Sequence, residues 1–157
     1  MVKRGQAAME FLMTYGWAIL VVLAAIGALA YFGVLSPDNF LPNRCTTGGE
    51  FGCMESQVRD DGSVVLVLQN NVGATLSNVS VALLNPADTA TVLCGPWESS
   101  GNTANGQQLN GTAGITLTGC HNQGSGERFQ ADILIEYSRS GSELTHSVGG
   151  TLQRRIE

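Results

Sequence analysis

The side chains that could carry out chemistry are few and scattered in this chain of 157 residues. Histidine occurs only at His121 and His146, and neither belongs to a G-x-S-x-G elbow, a P-loop or an H-E-x-x-H motif. The triplet Asp60-Asp61-Gly62 lacks the alternating acidic ligands of a calcium loop and is typical of a hairpin turn. The sequence therefore predicts neither an enzyme nor a bound metal or other cofactor.

Four cysteines are the residues best placed for covalent chemistry: Cys45, Cys53, Cys94 and Cys120. Zinc sites favour close C-x-x-C pairs, which this chain lacks. An even number of cysteines in an exported chain favours disulfides, and four cysteines allow three pairings. We expect Cys45–Cys53, which closes a Gly-rich loop, and Cys94–Cys120, which ties the base of a polar loop. The other pairings stay open at this point.

Two triplets match the signal for N-glycosylation: Asn78-Val79-Ser80 and Asn110-Gly111-Thr112. Asn110 is the better candidate because it falls in residues 98–114, which are rich in Gly, Asn, Ser and Thr and are typical of a long surface loop. Asn78 falls in an expected strand, where its side chain can still face outward. A loop of this length either binds something or is only tolerated.

Charged residues are scarce, and they are unevenly distributed along the chain. Charged residues make up 13% of the chain, against roughly 25% in soluble domains, while 43% of residues are hydrophobic. Disorder is therefore excluded, and a net charge of −5 without a basic stripe argues against nucleic-acid binding. Residues 11–35 carry no charge at all. As a helix they would span about 37 Å, which exceeds a bilayer core of about 30 Å.

This apolar run is hydrophobic on every side, so lipid or other protein must surround it. It is too long for a cleaved secretory signal, and no A-x-A-like site follows it. With Lys3 and Arg4 in front of it, the simplest interpretation is an uncleaved anchor that holds the rest of the chain outside the cell. Small residues that permit close helix packing crowd its second half: Ala24, Ala25, Gly27, Ala28, Ala30 and Gly33.

The segment Lys3-Arg4-Gly5-Gln6-Ala7-Ala8-Met9-Glu10 resembles the class III signal peptide of archaeal type IV pilins. In that family a prepilin peptidase removes a basic leader just before the hydrophobic helix. By position, the resemblance implies a cut between Gly5 and Gln6, with Lys3 and Arg4 as further processing residues. Gln6 would then become the first residue of the mature chain.

The family pattern Gln-x-Ser-x-Glu-x-x-x-Leu is matched at Gln6 and Glu10, whereas Ala8 and Thr14 replace the serine and the leucine. Glu10 has two explanations. Near a helix N-terminus the macrodipole favours a carboxylate by ~0.3–1 kcal/mol. The resemblance implies instead that Glu10 of one subunit pairs with the free Gln6 amine of a neighbour, since a buried unpaired charge is costly. That pair would set the axial register of filament assembly.

The expected fold is α+β: a long N-terminal hydrophobic helix followed by a small antiparallel β-sandwich or barrel. The layout is a cleaved leader at 1–5, the helix at 6–35 and an extracellular β-domain at 36–157, with Ser36-Pro37-Asp38 ending the helix. Apolar alternation predicts six to eight short strands, with a slip near Asn78. The clearest strands are 63–68, 76–84, 114–118 and 129–137.

The resemblance implies the function of a structural pilin in an archaeal type IV pilus-like surface filament, with adhesion as the expected role. Its partners would be identical subunits, the prepilin peptidase, an assembly ATPase and a membrane platform protein, with the membrane as its surroundings before assembly. Two alternatives stay open. One is a membrane-anchored extracellular β-domain that binds a ligand or partner, and the other is a flagellin-like filament subunit.

Overall fold

The computed structural model describes residues 3–32 and 42–157, without the side chains of Lys3, Arg4, Gln6 and Ala7. The chain divides into two compact units, Met1–Leu41 and Pro42–Glu157. In the first unit, helix α1 runs from Lys3 to Tyr31. The predicted helix end at Leu35 and the stop signal Ser36-Pro37-Asp38 lie outside the described residues.

The second unit is built from antiparallel strands. Its described residues form β1 Arg44–Thr47, β2 Phe51–Val58, β3 Val64–Asn70, β4 Leu76–Asn85, β5 Asp88–Glu98, β6 Ile115–Leu117, β7 Arg128–Arg139 and β8 Thr145–Arg155. One sheet has five strands in the order β1-β8-β7-β4-β5, and the other has three in the order β2-β3-β6. The predicted α+β fold, with a long N-terminal helix before antiparallel sheets, is confirmed.

The two sheets share one hydrophobic core. Val64, Leu66 and Leu68 of β3 are buried at every second position, and Ile133 and Ile135 of β7 are buried in the same way. Side chains alternate across a strand, so this spacing points one face of each sheet inward. All five residues belong to a single buried cluster. The unit is therefore a small β-sandwich.

Two backbone irregularities lie where the sequence predicts them. Asn78 has a φ of 51°, and the pairing of β4 with β7 slips around it, which is the geometry of a bulge. The triplet Asp60-Asp61-Gly62 joins β2 to β3, with Gly62 at a φ of 81°. The Ser63 N–H donates a 2.8 Å hydrogen bond to Asp61 Oδ1 in that turn. Both predictions are confirmed.

Two disulfides join the edges of the sandwich. Cys45 of β1 is bonded to Cys53 of β2, and Cys94 of β5 is bonded to Cys120, which follows β6. These are the two pairs expected from the sequence. Strands β1 and β5 are the outer strands of the larger sheet, and β2 and β6 are the outer strands of the smaller one. Each lateral edge of the sandwich is therefore closed by one covalent link.

Candidate functional site: the N-terminal helix and the polar loop

Helix α1 is long and apolar enough to cross a membrane. The qualifying stretch, Ala8–Tyr31, has 24 residues, and Glu10 is its single charged residue. No described side chain of α1 is buried. Large apolar groups such as Leu20 and Leu23 are about two-thirds exposed, at 67% and 64%. A surface of this kind needs lipid or protein around it, because water would otherwise contact it on all sides.

Glu10 lies deeper in the helix than its position in the sequence pattern suggests. Helix α1 begins at Lys3 and has no acidic residue in its first turn. Glu10 is seven residues further on, which is about 10 Å along the axis. The macrodipole acts mainly within the first turn, so its effect on this carboxylate is small in the uncleaved helix. Glu10 makes no hydrogen bond or ion pair with any described side chain.

The neighbouring polar group on the same face is satisfied within the helix. The Thr14 hydroxyl donates a 2.8 Å hydrogen bond to the main-chain oxygen of Glu10. A hydroxyl bonded in this way adds little cost in an apolar environment. The carboxylate of Glu10 is the charged group in Ala8–Tyr31, and it requires a partner when water is removed.

The implied processing residues fall in the first turns of α1. The backbone of Lys3, Arg4, Gly5 and Gln6 is helical, and among these four Gly5 alone has described side-chain surroundings. Gly5 is exposed, and a Cβ added there would meet nothing within 4 Å. The fold itself therefore places no packing demand on a glycine at this position.

The surface of α1 offers large and small groups for packing. Its first half carries a shallow apolar groove of about 390 Å³, lined by Phe11, Tyr15, Ala18, Ile19, Val22 and Leu23. The rings of Phe11 and Tyr15 are 4.9 Å apart. The small residues predicted for close packing are exposed in the second half, from Ala24 to Ala30, while Gly33 lies outside the described residues.

The predicted polar loop is held in one shape by the sandwich. Thr103 and Leu76 exchange two backbone hydrogen bonds of 2.9 Å, and the Leu109 N–H donates to the Leu68 oxygen at 2.8 Å. Leu109 is fully buried in the core. The buried Asn70 side chain donates to the Thr103 oxygen at 3.0 Å. The loop is therefore an ordered surface of the domain.

The asparagine side chains of the two sequons differ in whether they make a hydrogen bond within the described part of the chain. Asn110 is exposed, but its Nδ2 donates a 2.7 Å hydrogen bond to the Gly114 oxygen. Asn78 is also exposed, and its side chain makes no hydrogen bond in the described part of the chain. The Asn110 amide keeps a second hydrogen for attachment of a glycan, so both sequons stay candidates.

Both histidines pack against aromatic rings. The His121 ring lies 5.1 Å from that of Phe129, and His146 stacks on Tyr137 at 5.3 Å. Within residues 3–32 and 42–157, no cluster of three or more His, Cys, Asp or Glu side chains is arranged to hold a metal. Hydrogen bonds from Ser63 hold the pKa of Asp61 below its ordinary value, which supports a structural role for this carboxylate in its turn.

Sequence reasoning missed Trp97 of β5. Its ring is half-buried beside the polar loop, where it lines a groove with residues of β3 and of the loop. A tryptophan directly before a Gly- and Asn-rich segment was the signal that could have indicated it.

The chain matches no protein-family model, no curated protein and no solved structure at a significant level. Its function is therefore inferred from its own residues and their geometry.

Proposed function

We propose that this chain is a pilin, the structural subunit of an archaeal type IV pilus-like surface filament that serves adhesion. The observation that carries the proposal is α1, a membrane-length helix in which no described side chain is buried and in which the Glu10 carboxylate has no described partner. A simple anchor gains nothing from Glu10, which lies near the N-terminal end of the apolar stretch Ala8–Tyr31. An assembly helix has a use for it, because the charge can select one register of packing.

The helix changes its surroundings in this mechanism. Lipid covers it before assembly, and a bundle of identical helices covers it afterwards. Since lipid and neighbouring helices are about equally apolar, hydrophobic burial cannot drive the exchange. Close contact at small residues such as Gly27 and Ala28, together with a polar pair at Glu10, supplies the preference. An assembly ATPase and a membrane platform protein perform the transfer in the family that the leader resembles.

Cleavage supplies the partner for Glu10. Cutting between Gly5 and Gln6 frees an amine on Gln6, and a cation beside the carboxylate offsets the cost of removing both from water. Pairing between neighbouring subunits fixes their axial offset, since a shift of one turn would separate the charges by about 5.4 Å.

The β-sandwich forms the outer coat of the filament. Its two disulfides suit an oxidising extracellular setting, where a small domain benefits from cross-links. Beyond Gly5 the chain has 13 acidic and 6 basic residues, which suits a soluble outer surface and disfavours tight binding to nucleic acid. The proposal assigns the chain a structural role and no catalysis.

Replacing Glu10 by alanine tests the register pair. We expect leader removal to continue while filaments disappear from the sheared fraction, as seen by electron microscopy and by mass spectrometry of the N-terminus. Glu10→Gln, which keeps the shape and removes the charge, should behave in the same way. Thr14→Val is the matched control, because it lies one turn away and loses only a hydrogen bond within the helix. Normal filaments from Glu10→Ala would refute the pairing.

Gly5→Leu tests processing separately. Because a side chain at Gly5 meets nothing within 4 Å, the fold tolerates it, and a block in cleavage reports recognition by the peptidase. Gly16→Ala, at an equally open glycine, should be cleaved normally. Wild-type surface protein that still begins at Met1 would contradict the proposal. Shearing also separates a filament from an anchored monomer, which only detergent would release.

A further inference from the structure

The groove beside Trp97 has the properties of a ligand site. It is an open groove of about 580 Å³ between β3, the end of β5 and the polar loop. Ligand pockets commonly have volumes of roughly 300–1,000 Å³. The half-buried Trp97 ring supplies an apolar surface, and amide, hydroxyl and glycine groups supply most of the remaining lining. No described lining residue is charged.

Several lining side chains have unused hydrogen-bonding capacity. Those of Asn102, Gln108 and Thr112 make no hydrogen bond within the described part of the chain. An amide offers donors and an acceptor, and a hydroxyl offers both. They can therefore bind a ligand that itself presents many donors and acceptors, without breaking a contact of the fold.

The walls of the groove are preorganised. The Gln69 side chain donates a 2.8 Å hydrogen bond to the Gly106 oxygen, and the Asn70 N–H donates to the Gln107 oxygen at 2.9 Å. The Gly73 N–H reaches Asn105 Oδ1 at 2.8 Å on the other side of the loop. Binding to a surface fixed in this way costs less ordering entropy than binding to a mobile loop.

These features select one class of ligand. A sugar ring presents an apolar face of C–H groups, which can stack on an aromatic ring, and a rim of hydroxyls, which can bond to amides. An anionic or cationic ligand would find no opposite charge in the lining and would lose its hydration without compensation. We propose that this groove binds a neutral oligosaccharide, with Trp97 as the stacking platform.

This inference does not depend on the filament proposal, since a membrane-anchored domain could use the same groove. The two fail in different experiments: loss of Glu10 affects assembly, whereas loss of Trp97 should affect saccharide binding alone.

The test uses the full chain in lauryldimethylamine oxide, a detergent without a sugar headgroup. The protein is produced without glycosylation, so that no glycan on Asn110, a lining residue, can occupy the groove. Cellohexaose, maltohexaose and chitohexaose are titrated by isothermal calorimetry. We expect at least one to bind with a Kd of about 1 mM or tighter.

The N-glycosylated chain distinguishes two sources of the bound saccharide. Unchanged binding indicates an external saccharide, and binding lost only in the glycosylated form indicates that the chain's own glycan occupies the groove.

Trp97→Ala should weaken binding about tenfold, as expected for loss of a stacking contact, and Trp97→Phe should restore most of it. Asn102→Ala should also weaken binding, and it is safe for folding because its exposed side chain has no internal partner. Val92→Ala is the matched control on β5, since Val92 is 52% exposed and does not line the groove.

Three results would overturn the inference. The first is no binding of any of the three hexasaccharides up to about 10 mM, which would leave no useful affinity. The second is binding that survives both Trp97→Ala and Asn102→Ala. The third is a wild-type chain that binds no saccharide while its Asn102→Ala variant forms no filaments. That result would assign the groove to a contact between subunits.

Discussion

Removing the disulfide Cys94–Cys120 should destabilise the β-sandwich more than removing Cys45–Cys53. The perturbation is a pair of double substitutions, Cys94→Ala with Cys120→Ala and, separately, Cys45→Ala with Cys53→Ala. Alanine is preferred to serine because Cys94 and Cys120 are buried, and a hydroxyl there would need new partners. Each variant leaves the other bond intact and introduces no free thiol.

The two magnitudes follow from loop length and burial. The bonds close segments with sequence separations of 26 and 8 residues, for which chain entropy gives about 3.5 and about 2.5 kcal/mol. Cys94 and Cys120 also belong to the core cluster, so each lost sulfur leaves a gap that costs about 1 kcal/mol. We therefore expect a loss of about 5.5 kcal/mol for the Cys94–Cys120 pair. For the half-buried Cys45–Cys53 pair we expect about 2.5 kcal/mol.

Urea unfolding of the full chain in detergent measures both losses. In a Trp17→Phe background Trp97 is the sole tryptophan, so its fluorescence follows the sandwich alone. The loops do not overlap in sequence, and the bonds lie at opposite edges of the sandwich, so the two losses should add in the quadruple variant. A sum of about 8 kcal/mol is comparable to the whole stability of a small domain, and that variant should be unfolded at 25 °C.

The opposite ranking would refute this reasoning. If loss of Cys45–Cys53 costs as much as loss of Cys94–Cys120, neither loop length nor burial governs the contribution of these bonds. Peptide mapping without reduction serves as the control on the wild-type chain, where a Cys45–Cys94 peptide would contradict the pairing itself.

Two further predictions concern packing and pH. Gly150→Ala should cost about 1–3 kcal/mol, because a Cβ there would lie 2.6 Å from the Thr46 oxygen, whereas Gly149→Ala should be neutral because its Cβ meets nothing. Thermal unfolding of both variants checks this, and equal melting temperatures would contradict it. Burial and the Glu50 carboxylate, which accepts a 2.9 Å hydrogen bond from the Tyr137 hydroxyl, raise the pKa of Tyr137 above 10.0. The folded state binds the Tyr137 hydroxyl proton more tightly than the unfolded state does. The stabilisation that this proton contributes to the folded state is therefore complete below pH 10.0 and is lost as pH rises through the folded-state pKa. Tyr137→Phe should lower stability by about 1 kcal/mol at neutral pH and flatten the alkaline decline, as measured by urea unfolding across pH.

Strands buried on one face were predictable because burial leaves an alternating pattern. Strand β7 was expected at 129–137 and spans Arg128–Arg139, with Phe129, Ala131, Ile133 and Ile135 inward. The slip near Asn78 was also visible, because a bulge moves the apolar positions by one residue. In both places the physical cause of the fold acts on residues close together in the sequence.

Four of the eight described strands lack that pattern, and the sequence predicted no bounds for them. Strand β5 is exposed at its first five residues, and β1 has only four residues. In β2 the register shifts between Cys53 and Glu55, which breaks the alternation, and β8 buries only Leu152 among its eleven residues. Hydrogen bonds to a neighbouring strand hold such segments in place. The hydrophobic pattern of a segment does not identify the strand that pairs with it.

The same distinction separates the two surfaces for which functions are proposed. The residues assigned to processing and assembly, from Lys3 to Glu10, form one continuous segment, so a local pattern was enough to single them out. The groove combines Gln69 and Trp97 with most residues of the segment 99–112, which become neighbours only when β3, β5 and the loop are in place. The shape of the groove depends on anchors such as the buried Leu109, whose side chain does not line the groove and whose backbone N–H fixes the loop to β3. If the groove is a binding site, substituting Leu109 should weaken saccharide binding through lost order, whereas substituting Asn102 should weaken it through a lost contact. Melting temperature separates the two, because the first change lowers it and the second leaves it unchanged.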